Sequence, residues 1–136
     1  MAKNVLVDAG FLVALLNRRD YHHKWAITQA EQNPPPWLTC ESVLSEAFHL
    51  LGHRGGPALE ALLRRGSLIP SFQLGHDLDS VLRCLSKYAS VPASLADACL
   101  VRMTETLPGP LVLTTDSDFH IYRRHGRQVV PSRIPL

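Results

Sequence analysis

The chain has 136 residues, of which 46% are apolar and 19% charged, with a formal net charge of +2. That length suits one domain, residues 1–136, with a single core and no need of staples, and so small a net charge does not by itself announce nucleic-acid binding. No apolar run reaches the length of a membrane span and no basic-then-apolar leader opens the chain, so a soluble, cytoplasmic protein with no membrane partner is expected.

In chain order, Val5, Leu6 and Val7 are apolar at every position, the pattern of a strand covered on both faces. Asp8 closes that run, and Phe11-Leu12-Val13-Ala14-Leu15-Leu16 then predicts a buried helix. Asp20 is a plausible N-cap for a second helix over "YHHKWAITQAEQN", which must end before the prolines at 34 to 36. "WLTC" predicts a short strand, and "ESVLSEAFHLLGHRGG" a helix stopped by glycine. "PALEALLRRG" predicts a further helix, opened by Pro57 and closed by Gly66. "LIPSF" is a third strand, with Pro70 placing it at an edge or marking its end. Two more helices follow, over "HDLDSVLRCLSKYAS" and "SLADACLVRMTETL", separated at Val91-Pro92. Leu111 to Leu113 repeats the opening device, an apolar strand running into hydroxyls and acids, and a last strand is expected at about Gln128 to Val130. Strands alternating with helices imply parallel crossovers and a three-layer α/β fold, its central, mostly parallel sheet having four to five strands.

The acids have an uneven distribution. Asp8 ends the first strand, and Asp116 and Asp118 lie just beyond the strand at Leu111 to Leu113. If those strands are neighbours where the winding reverses, their terminal acids share one crevice. Glu46 and Asp97 each interrupt an apolar helical pattern. Each acid has a structural explanation: Asp8 as a helix cap, Asp97 in a capping box with Ser94 and beside a helix dipole. Glu46 has the weakest one, because Leu44, Ala47 and Phe48 around it look core-facing, and a buried acid needs a partner. Four acids at strand ends or helix starts together form the pattern of an oxygen-ligand site for Mg2+ or Mn2+, and hence of phosphate chemistry.

"VDAGFLVALLNRRDYHH", "SEAFHLL", "LADACL" and "LTTDSDF", in this order and at these separations, resemble the PIN-domain ribonucleases, particularly VapC-type toxins of toxin–antitoxin pairs. The resemblance spans essentially the whole chain. It implies a PIN-like fold and Mg2+- or Mn2+-dependent cleavage of single-stranded or loop RNA by activated water. By position it implies Asp8, Glu46, Asp97 and Asp116 as the acidic set, Thr114 as the supporting hydroxyl, and Asp118 as a further acid that the family often has. Arg18, Arg19 and Arg124 are candidates for holding the RNA backbone. An antitoxin and a second copy of the chain are the protein partners it suggests.

Rival sites are poorer. Glu46, His49 and His53 have metal-binding helical spacing, but Gly52 and Gly55-Gly56 interrupt the helix and no second such motif exists. "LGHRGGP" lacks the lysine of a phosphate-binding loop, and Cys40, Cys84 and Cys99, an odd set without C-x-x-C spacing, are expected as buried thiols. Two other functions use the same acids: a binding module that sequesters RNA or a protein, and a metal-dependent phosphatase for small substrates.

Overall fold

A computed structural model describes residues 2–136. The apolar opening run forms β1 (Asn4–Val7), and Asp8, in an extended conformation, turns the chain directly into α1 (Ala9–Leu16). The second helix, α2 (His23–Gln32), starts later than Asp20 would set it: His22 occupies the cap position, and the Asp20 carboxylate instead accepts a bond from His22 N–H at 2.9 Å in the preceding turn. Then come β2 (Trp37–Thr39), α3 (Glu41–Arg64) and β3 (Leu68–Pro70), followed by α4 (Leu78–Lys87), α5 (Leu95–Thr106) and β4 (Pro110–Leu113).

The expected pair of helices in the middle of the chain is one kinked element. Gly52 takes φ 64° and ψ −162° and breaks α3 there, and the helix resumes at once, with Pro57 accommodated inside it. Glycine does interrupt the helix, but at Gly52, where only a residue without Cβ reaches that conformation cheaply. The end of the chain differs more. Gln128–Val129 is β6, paired antiparallel with β5 (Arg123–Arg124) in a separate hairpin, and the strand that joins the main sheet is β7 (Ser132–Arg133).

The main sheet has five parallel strands in the order β3-β2-β1-β4-β7, with Val7 opposite Leu113. Pro70 sits on its edge strand, where a missing N–H costs no ladder bond. From β1 the chain steps outward to β2 and β3, then returns to place β4 on β1's other side, so winding reverses between β1 and β4. Helix α1 packs on α2 and α3, and α4 packs on α5. Right-handed crossovers put these groups on opposite faces, giving the three-layer α/β architecture. One core joins the layers through Leu6, Phe11, Val43, Leu100, Val112 and Phe119, with Cys40 and Cys99 buried in it as free thiols and Cys84 half-buried.

Candidate active site

The reversal of winding brings the ends of β1 and β4 together, and their side chains form a hydrogen-bonded chain. Asp8 is 6% exposed. Its Oδ1 accepts the Ala9 N–H at 2.8 Å, capping α1, while Oδ2 accepts the Thr114 hydroxyl at 2.8 Å. Thr114 Oγ1 in turn accepts the Asp116 N–H at 3.0 Å, and Asp116 Oδ1 accepts the Asp118 N–H at 2.9 Å. Asp8 is therefore both a cap and a member of the acidic group, and the two explanations of it are not exclusive. Asp118 meets this chain through its backbone N–H.

Asp97 enters from the first turn of α5. The capping box with Ser94 is present: Ser94 Oγ accepts the Asp97 N–H at 3.0 Å, and Asp97 Oδ2 accepts the Ser94 N–H at 3.2 Å. The same Oδ2 accepts the Tyr122 hydroxyl at 2.9 Å. Glu46 differs from the sequence expectation. It is exposed on α3, because Val43 and Ala47 take the core-facing positions while Phe48 is itself partly exposed. Its charge nevertheless reaches Asp8.

Electrostatics join the four acids. Burial pushes the Asp8 carboxyl up from its ordinary value to about 6; the Thr114 and Ala9 bonds pull it down, and the charges of Asp97 and Glu46 push it further up. Burial also raises Asp97 above the usual carboxylate range, with Asp116 adding to the shift and the bonds from Ser94 and Tyr122 opposing it. Among the described residues no lysine, arginine or histidine forms an ion pair with Asp8, Glu46, Asp97 or Asp116.

The candidate arginines stand apart from this cluster. Arg18 and Arg19 follow the C-terminal end of α1, whose eight residues span ~12 Å from the Asp8 end. Arg124 donates from Nη2 to the Thr104 carbonyl on α5, a bond within the fold.

The PIN domain family model matches residues 5–124. The chain belongs to the PIN domain family. No curated protein sequence matches it. Among solved structures, this PIN domain is similar to VapC20 of Mycobacterium tuberculosis, a toxin that cleaves the sarcin–ricin loop. The TM-score is 0.74 at 22% identity, over 85% of this chain and 92% of that one. The resemblance to PIN domains stated from the sequence is borne out by the family match, and the likeness of fold agrees with the PIN-like architecture.

Three residues of the PIN domain's acidic edge gave no signal in the sequence. Tyr122 is fully buried and bonds Asp97 across 25 positions of chain. Thr39 is buried beside β1 and donates to the Val7 carbonyl at 2.9 Å. Gly10 lets α1 approach the loop after β4, since a Cβ there would lie 2.0 Å from Thr115 Oγ1. Each acts through a contact between distant parts of the chain, which local pattern does not encode.

The donor set suits a hard divalent cation: carboxylate oxygens, buried charge and no protein cation to neutralise it. Among the described residues, no three acidic, histidine or cysteine side chains are already drawn into a single coordination shell. Mg2+ does not require one, since it is commonly held by one or two carboxylates together with water and substrate phosphate.

Proposed function

We propose that this PIN domain is a Mg2+- or Mn2+-dependent ribonuclease that hydrolyses phosphodiester bonds of single-stranded or looped RNA with water as nucleophile. The observation that carries the reading is the buried Asp8 carboxylate at the β1–β4 reversal, within the field of two other acids and paired with no protein cation. Structural capping alone does not call for that uncompensated charge.

In this reading Asp8, Asp97, Asp116 and Glu46 hold the cation or orient the attacking water. The bound cation supplies neutralisation of phosphate charge and a lowered pKa for the water. Thr114 fixes the rotamer of Asp8 by its hydrogen bond, and Tyr122 does the same for Asp97. Asp118 steadies Asp116 through its N–H. Arg18 and Arg19 would meet only a strand that extends along α1, and Arg124 would act on RNA indirectly, by setting the hairpin against α5. VapC20's looped RNA substrate favours a looped substrate here, and its toxin role favours an antitoxin as partner.

The test is cleavage of matched single-stranded, hairpin and duplex RNAs with Mg2+, Mn2+ or chelator, using Asp8→Asn as control. Metal-dependent cleavage of the first two, lost in the variant, is expected. Hydrolysis of a small phosphate ester with RNA inert would favour the phosphatase, and tight RNA or protein binding without any cleavage would favour the binding module.

A further inference from the structure

A cavity of about 330 Å3 lies between α4, α5 and the β5–β6 hairpin. It adjoins the acidic cluster without including it: Asp97 is in the first turn of α5, and Val101, one turn further on, is already in the cavity wall. Tyr88 forms another part of the wall, with its ring 5.1 Å from that of Tyr122, the residue bonded to Asp97.

The walls are tied together. Lys87 Nζ donates to the Gly126 carbonyl at 3.1 Å, holding α4 to the hairpin. The His125 N–H donates to Glu105 Oε2 at 2.6 Å, holding the hairpin to α5. Arg123 is anchored by its backbone N–H on the Tyr88 hydroxyl at 2.8 Å and by Nη1 on the carbonyls of His120, Ile121 and Tyr122.

Charge in the cavity is unbalanced. Arg102 is answered by Asp77 at 3.0 Å and Glu105 at 3.4 Å. Arg83 has Asp79 at 3.1 Å, an exposed pair of the kind that contributes little. Lys87 and Arg123 form no ion pair among the described residues. Arg83 and Lys87 on α4 and Arg123 on β5 thus line one half-open cavity whose fourth cation, Arg102, is already neutralised.

We propose that this cavity is a phosphate-binding site. Its ligand is a phosphate group, supplied either by an RNA strand at least one nucleotide away from the scissile bond or by a free polyphosphate such as a nucleotide. Arg83, Lys87 and Arg123 provide the charge-assisted hydrogen bonds, with Lys87 Nζ lying over the buried Tyr88 ring, 5.3 Å from its centroid. The RNA source rests on the nuclease reading, whereas phosphate binding itself does not.

The experiment titrates the full chain, with divalent metal chelated, with inorganic pyrophosphate, following backbone amides by NMR. Saturable shifts at Lys87, His125 and Gly126 are expected, with affinity falling as salt rises. The exposed pair Arg83→Ala and Lys87→Ala, combined, should weaken binding about tenfold or more, and Arg123→Gln should do so separately. No saturable binding at millimolar pyrophosphate, or equal binding by the double variant and the parent, would overturn the proposal. Steady-state cleavage of a single-stranded RNA with Mg2+ then identifies the source. A KM raised several-fold by the double variant with kcat retained assigns the phosphate to RNA; an unchanged KM assigns it to a free polyphosphate. Absence of any RNA cleavage would end the nuclease reading, while the pyrophosphate titration would still decide this one.

Discussion

The junctions after β1 and β4 together with the first turn of α5, and the N-terminal part of α3, all contribute carboxylates to one electrostatic group, but they hold them by different means. Asp8, Asp97 and Asp116 each accept short bonds from backbone or hydroxyl donors, and Asp8 and Asp97 are buried. Glu46 is exposed and has no hydrogen bond to another side chain among the described residues. The first region fixes geometry in advance and carries the free-energy cost of buried like charge. The second adds charge without burying it, so it costs the fold little.

The largest test of this contrast is Asp8→Asn. RNA cleavage should fall by about a thousandfold or more, the scale on which an essential charged group in a site acts, whereas an ordinary cap would tolerate asparagine. Stability should move the other way. Because the folded pKa of about 6 lies above the ordinary 3.8, ionised Asp8 destabilises the metal-free fold. That cost is complete above about pH 6, shrinks as pH falls, and vanishes below about pH 4. Thermal melts should therefore find the variant more stable than the parent at pH 7, by about 1–3 kcal/mol at most, and equal to it near pH 4. Mn2+ should raise the parent's midpoint more than the variant's.

Thr114→Val should come next. It leaves Asp8 Oδ2 and the Asp116 N–H without their shared partner, at a cost of about 1–3 kcal/mol in denaturant unfolding. Since that hydrogen bond pulls the Asp8 pKa down, the carboxyl should titrate above its parent value by NMR.

Tyr122→Phe keeps the buried ring and deletes one donor to Asp97, for about 1 kcal/mol of stability. The pKa of Asp97 should rise, because the lost bond favoured its ionised form. An unchanged Asp97 titration would show that the capping box alone positions that carboxylate.

Glu46→Gln should have the smallest effect on the fold, within about 0.5 kcal/mol. Its expected signature is functional: a several-fold higher Mg2+ concentration for half-maximal cleavage. A stability loss comparable with that of Thr114→Val would remove the distinction between the two regions.

Much of the site was legible because strand ends are punctuated in sequence. An all-apolar run ending in an acid marks both β1–Asp8 and β4–Asp116, and the Ser94–Asp97 spacing announced its capping box. Glu46 is exposed, against the expectation from its apolar neighbours, for a geometrical reason. Its neighbours are apolar on several sides, but Phe48 and Leu50 are themselves substantially exposed, so apolar neighbours did not mark a buried face. The strand expected at Gln128 to Val130 is present as β6, but it is not the last one: Ser132 and Arg133, which carry no apolar pattern, are the residues that pair with β4.

The sequence by itself determined the alternation of strands and helices, the parallel sheet and the set of acids, since these follow from local apolar periodicity and from residues placed where apolar runs end. Tertiary structure decided which of those acids are buried, that the Tyr122 hydroxyl and not only Ser94 holds Asp97, and that Arg18 and Arg19 lie a helix length from Asp8. Burial and hydrogen bonding between residues as far apart as Asp8 and Thr114 depend on the order in which strands pair. That order is set by the packing of all the layers together, and no local stretch of sequence contains it.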